Sequence, residues 1–158
     1  MKSIAKQLLV VIALAAPFAA SAQMKPEEAI RARQSIMRVV ALNFGPLGKM
    51  GSGDVTLNKA VFQTNAARVE AIWAMNPAQY FVPGTDKPVA GAKIATFSDA
   101  RPEIWSQPEK FKAAAERATQ QVGLLAQAAR TGDEAAMRSA AGELGKSCKA
   151  CHDEFRAK

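Results

Sequence analysis

Cys148-Lys149-Ala150-Cys151-His152 lies in a run where Met137, Ala141, Leu144, Cys148, Cys151 and Phe155 recur at alternating intervals of four and three. That alternation is the seam of an amphipathic α-helix. At about 100° per residue, Cys148, Cys151 and His152 fall within an arc of roughly 100°. One helix face therefore carries two thiols and an imidazole. This is the attachment signature of a c-type haem: the thiols form thioethers with the porphyrin vinyl groups, and the imidazole ligates the iron. A redox dithiol would want a strand-helix context, which the sequence does not offer here. A zinc site normally wants four ligands, whereas the chain has two cysteines and one histidine. A structural disulfide suits an exported protein but leaves His152 without a purpose.

Working back from this helix, Asp133 is its candidate N-cap and Gly132 closes the helix before it. That helix has the seam Phe111, Ala115, Ala118, Val122, Leu125, Ala129 and opens on the capping-box pattern Ser106-Gln107-Pro108-Glu109. From about Thr56 to Met75 the chain is rich in alanine and free of glycine and proline, which favours helix. Phe62, Val69 and Ile72 anchor its stripe and Asn65 interrupts it. The first helix starts at Pro26-Glu27-Glu28, and its stripe is Ile30, Met37, Val40, Phe44, Leu47 with Arg33 in the remaining seam position. An arginine is thus expected to point inward. Gly45-Pro46 is expected to kink or end this helix, and Gly51-Ser52-Gly53-Asp54 reads as a turn with Asp54 as the next cap.

Residues 76 to 106 form the one long irregular stretch, punctuated by Pro77, Pro83, Gly84, Pro88, Gly91 and Pro102. A connection of this length in a compact domain is usually functional or covers something. Four helices, each with one apolar stripe, predict an all-α fold: an antiparallel four-helix bundle whose core houses a flat apolar cofactor. Trp73 and Trp105 read as packing residues.

The first residues are not part of that domain. Lys2 and Lys6, the apolar run Leu8 to Ala16 and the small-residue stretch Ala20-Ser21-Ala22 make a secretory signal peptide, residues 1–22, leaving a mature domain of residues 23–158. The run is short of the roughly 20 apolar residues of a membrane span, so the mature form is expected to be soluble and periplasmic, without a membrane partner. The formal charge of +7 falls to about +5 without the leader and to about +3 with two haem propionates. Basic and acidic residues are interspersed, which argues against nucleic-acid binding.

Taken together, Arg33-Gln34-Ser35-Ile36-Met37, Phe81-Val82-Pro83-Gly84-Thr85, Asp99-Ala100-Arg101-Pro102-Glu103-Ile104-Trp105 and Cys148-Lys149-Ala150-Cys151-His152-Asp153-Glu154-Phe155-Arg156 resemble the cytochrome c′ family over essentially the whole mature chain. The resemblance implies a four-helix bundle, usually a homodimer with helices one and two in contact, carrying one covalent haem held by Cys148 and Cys151 with His152 as proximal ligand. It implies Met37 at the distal face. There a shielding side chain would leave a five-coordinate iron open to nitric oxide or carbon monoxide, and a ligating one would give a low-spin electron carrier similar to the cytochromes c-556. Arg33 and Gln34 are expected at the propionates, Phe81 in the pocket lining, Asp99 at the haem edge and Arg156 beside the proximal imidazole. The loop before Asp99 is longer than in typical relatives, and the one role the sequence suggests for Thr85 to Ser98 is to cover the haem edge. The expected protein is not an enzyme, and its redox partner is not specified by the sequence.

Overall fold

The computed structural model describes residues 24–92 and 97–157. The expected leader, residues 1–22, lies outside the described residues. Helix α1 spans Pro26–Ser52, α2 Lys59–Trp73, α4 Pro108–Thr131 and α5 Glu134–Phe155; a 3-10 turn, Pro77–Tyr80, and a four-residue helix α3, Glu103–Ser106, lie in the long connection between α2 and α4. The four long helices form an antiparallel bundle in which α1 packs on α2 and α5, and α4 on the same two. The core is built from the expected stripes, with Leu47, Phe62, Val69, Leu125, Met137 and Leu144 essentially removed from water. No helix among the described residues is long and apolar enough to cross a membrane.

Local chemistry explains the ends. Asp133 caps α5 as expected, its Oδ1 accepting from the Ala136 amide at 2.7 Å. Gly132, at φ 69°, closes α4 in the left-handed region. Three other boundaries differ from the sequence reading. Pro46 sits inside α1, which runs on to Ser52 and ends at Gly53, φ 86°. The carbonyl that Pro46 leaves without an amide is that of Leu42, on the solvent face, where water can serve it. Asn58, not Asp54, caps α2: its Oδ1 accepts from the Val61 amide at 3.0 Å, so the helix begins at Lys59. Gln107, not Ser106, stands at the N-cap of α4 and makes no side-chain cap bond, because Ser106 still belongs to α3, its amide donating to Pro102 O at 3.1 Å.

The inward face of α1 is also rotated slightly from the expected seam. Ile36 is buried and Met37 and Phe44 lie at its margin, partly exposed, while Arg33 is inward with 4% exposure. Both tryptophans tether elements: Trp73 Nε1 donates to Thr119 Oγ1 and Trp105 Nε1 to Phe81 O, each at 3.0 Å.

Helices α1 and α5 approach closely at Gly51, where neither has bulk. A Cβ added to Gly51 would meet Ala141 Cβ at 2.9 Å and Arg138 O at 3.3 Å. Arg138 Nη1 also donates to Met50 O across this contact. Gly51→Ala is therefore expected to lower the unfolding free energy by about 1–3 kcal/mol through overpacking. Gly123→Ala, with open space around it, should instead raise it by about 0.5–1 kcal/mol by restricting the unfolded chain. Urea unfolding of the two variants checks the opposite signs.

Candidate cofactor site

Cys148 and Cys151 are free, half-buried thiols on the inward side of α5. Burial pushes both thiols above their ordinary pKa. For Cys148 its own backbone hydrogen bond opposes this; for Cys151 the neighbouring Cys148 and Glu154 reinforce it. Both are neutral thiols at neutral pH. His152 follows at the surface end of the same face. Crowding of its ring lowers its pKa, the charge of Arg156 lowers it further, and Asp153 opposes them. The neutral imidazole that results is the form that can ligate a metal.

The partner wall is α1. Phe44 lies against Gly145 of α5, and Gly51 against Ala141, which fixes an antiparallel register. Seven residues back from Phe44 is Met37, and seven on from Gly145 is His152. The thioether and the imidazole thus stand at one level of the α1–α5 pair, with Cys151 beside them.

One turn closer to the start of α1, Arg33 is buried and held by three hydrogen bonds. Its Nη1 donates to Thr85 Oγ1 at 2.5 Å, and its Nη2 donates to Thr85 O at 2.6 Å and to Ser98 Oγ. The guanidinium carbon stands 5.1 Å from the centre of the Phe81 ring, within cation–π range. Gln34 Nε2 donates to Phe97 O at 2.8 Å. Burial lowers the Arg33 pKa from its usual value, and the charge of Asp86 opposes that; the group stays charged, as arginine does.

Phe81 continues into an aromatic ladder. Its ring meets Phe111 of α4 edge-on at 5.0 Å, and Phe111 meets Phe155 of α5 at 5.4 Å. The segment before α3 is strapped to the end of α5: Arg101 N donates to Phe155 O at 3.0 Å, Ala157 N to Asp99 O at 2.7 Å, and Arg156 Nη2 reaches Asp99 Oδ2 at 3.4 Å. The nine residues singled out in the sequence thus gather into two neighbouring groups: Cys148, Cys151, His152, Arg156 and Asp99 at the end of α5, and Arg33, Gln34, Met37 and Phe81 along α1 and the loop. Sequence reading missed Thr85, Ser98 and Phe97, which serve Arg33 and Gln34 from more than 50 residues away; no local pattern marks them. Phe111 and Phe155 were legible as seam positions but not as one ladder.

The donor set suits a haem. Among the described residues no three His, Cys, Asp or Glu side chains cluster to hold a bare metal ion, whereas a porphyrin brings its own four nitrogens and needs only axial ligation. Two neutral thiols, one neutral imidazole, apolar walls and a buried cation match its vinyl groups, iron, ring and carboxylates respectively. Ser147 Oγ, buried one residue before Cys148, has no hydrogen-bond partner among the described residues.

A family model described as Cytochrome C' matches residues 28–156. The cytochrome c′ of Rubrivivax gelatinosus is 37% identical over 134 residues, covering 85% of this chain and 98% of that one. The crystal structure of cytochrome c′ from Thermochromatium tepidum superposes with a TM-score of 0.77 at 31% identity, covering 87% of this chain and 100% of the other. A nitric oxide complex of a variant of cytochrome c prime from Alcaligenes xylosoxidans superposes at 0.70 with 36% identity, covering 85% and 98%; a carbon monoxide-bound variant of the same protein superposes equally well.

Because the thiolate is the nucleophile, the raised pKa values of Cys148 and Cys151 have a direct consequence. In the folded haem-free chain at pH 8, iodoacetamide is expected to alkylate both cysteines several-fold more slowly than it does in urea. Mass spectrometry against time measures this, and equal rates would contradict the burial.

Proposed function

As the chain belongs to the cytochrome c′ family, we propose that it is an exported c-type cytochrome that binds nitric oxide and carbon monoxide and also passes single electrons. The observation that carries the reading is the pair of α5 thiols with His152 beside them, at the level of Met37 across the bundle. Cys148 and Cys151 would tether one haem c, and His152 would be its proximal ligand. Bound there, the haem supplies an iron that can take one electron or one small uncharged ligand.

The side chains set the conditions for that chemistry. The crowding and the Arg156 charge that keep His152 neutral leave its ring nitrogen free to ligate. Met37 offers an apolar, flexible thioether that would shield the site from the α1 side; it would exclude water and charged ligands more effectively than a small uncharged gas. Arg33 and Gln34 would hold the propionates, Phe81 would line the pocket and Asp99 would stand at the haem edge, tied to Arg156. In this reading the protein acts as a binding and electron-transfer protein, not an enzyme. The leader of residues 1–22 would direct the domain 23–158 to the periplasm. A homodimer through α1 and α2 fits the exposed Val39, Leu42 and Val61 on those helices.

The absorption spectrum of the reduced holoprotein, with and without carbon monoxide, tests the reading. Broad visible bands that change on adding the gas are expected. Sharp, well-resolved bands with no response would mean that Met37 is a sixth ligand and the protein a dedicated electron carrier. Met37→Ala is expected to speed carbon monoxide uptake about tenfold, equivalent to about 1.4 kcal/mol off the barrier. Loss of a low-spin spectrum in that variant would again identify a ligand. Light-scattering mass of the mature holoprotein is expected to be twice that of one chain.

A further inference from the structure

Thr85 is the most completely buried polar residue among those described, with 0% exposure, yet it lies in the long irregular connection. It gets there by a tight turn. In Val82-Pro83-Gly84-Thr85 the Thr85 amide donates to Val82 O at 3.3 Å and Gly84 adopts φ 81°, the arrangement that a type II turn requires of Pro and Gly. The hydroxyl then donates to Val82 O at 2.6 Å, which aims its lone pairs at Arg33. Thr85 offers the guanidinium two acceptors, Oγ1 and the backbone carbonyl, and Ser98 a third. All three are neutral.

A guanidinium has five N–H donors. Among the described residues three are occupied, by Thr85 and Ser98, which leaves Nε–H and one Nη1–H for another acceptor. Because the occupied acceptors carry no charge, they orient the cation without neutralising it, and burial leaves it without the screening of bulk water. Resting on the proposed haem-binding function, we infer that Thr85 is a positioning residue: the Pro83-Gly84 turn presents it to lock Arg33, and through Arg33 it sets the charge felt at the haem edge. The extra length of the Thr85–Ser98 connection is then explained at both ends, since its first and last residues are the ones that hold Arg33.

A positive charge held near the iron favours the reduced state. Loosening it favours the oxidised one. Covalent haem is measured first, on the wild-type holoprotein, by its denatured absorption spectrum; its absence there would overturn the function itself and this role with it. With haem present, Thr85→Val, which keeps the shape and removes the hydroxyl, is expected to shift the one-electron equilibrium about threefold to tenfold toward ferric, the span set by one hydrogen bond; tenfold is about 59 mV. Thr85→Ser should restore the wild-type potential. In an Arg33→Met background the Thr85→Val shift should vanish, since coupled residues do not add. A wild-type potential in Thr85→Val, or a shift that persists undiminished without Arg33, would overturn the inference, because a merely structural effect of the loop does not depend on the guanidinium. Should Thr85→Val fail to fold, Ser98→Ala removes another acceptor from the same group and must shift the potential in the same direction; an unchanged value would be equally decisive.

Discussion

A guanidinium carried into an apolar helix seam must find acceptors, because a buried unpaired cation is far more costly than any packing gain it brings. Arg33 meets that requirement outside its own helix. Its acceptors come from Thr85 and Ser98, and its face from Phe81. Satisfying one side chain therefore draws an irregular segment onto α1. Phe81, fixed in this way, receives the Trp105 indole on its carbonyl and places its ring against Phe111. Phe111 meets Phe155, whose carbonyl accepts from Arg101. One buried charge thus links α1, the connection, α4 and the end of α5.

The other end of the α1–α5 pair is governed by volume. Gly51 against Ala141 allows backbone approach that a larger residue would prevent. Further along, the Phe44 ring lies over Gly48 and Gly145, so bulk on one helix is matched by its absence on the other. Beyond that, toward His152, the facing positions are Met37, Cys148 and Cys151, all half-buried. The pair is in close contact at Gly51, and the half-buried thiols and the exposed imidazole stand toward the other end. Close packing of the kind seen at Gly51 fixes the register, and the register brings Met37 level with His152.

Features that depend on local periodicity could be read in the chain. The α5 seam, the Asp133 cap, the Gly132 stop and the inward direction of Arg33 all follow from spacing within one helix, and each is present. What could not be read was who meets whom across the fold. Thr85 and Ser98 carry no pattern that connects them to a residue 52 and 65 positions away. Boundary errors had a related cause. Asp54 and Asn58 are both good caps by residue type, and residue type alone does not say that Asn58 is the one that makes the bond. Pro46 interrupts a hydrogen bond wherever it stands, but the consequence depends on whether the orphaned carbonyl faces water, which only the packed bundle decides.

Charge, finally, is what separates this site from the rest of the core. The two thiols are held neutral by burial and the imidazole is pushed toward neutrality, so the α5 wall presents thiol and imidazole groups without net charge. Arg33 is the exception: a full positive charge surrounded by neutral acceptors, opposed only at a distance by Asp86. Were Arg33 paired directly with a carboxylate, the site would be electrically closed and an anionic group would gain little by approaching. Because hydroxyls and a carbonyl hold it instead, its orientation is fixed while its charge remains available. A flat, apolar group with carboxylates on one edge, as proposed, would complement such a site, with thioether attachment on the neutral wall and the buried cation at its acidic edge.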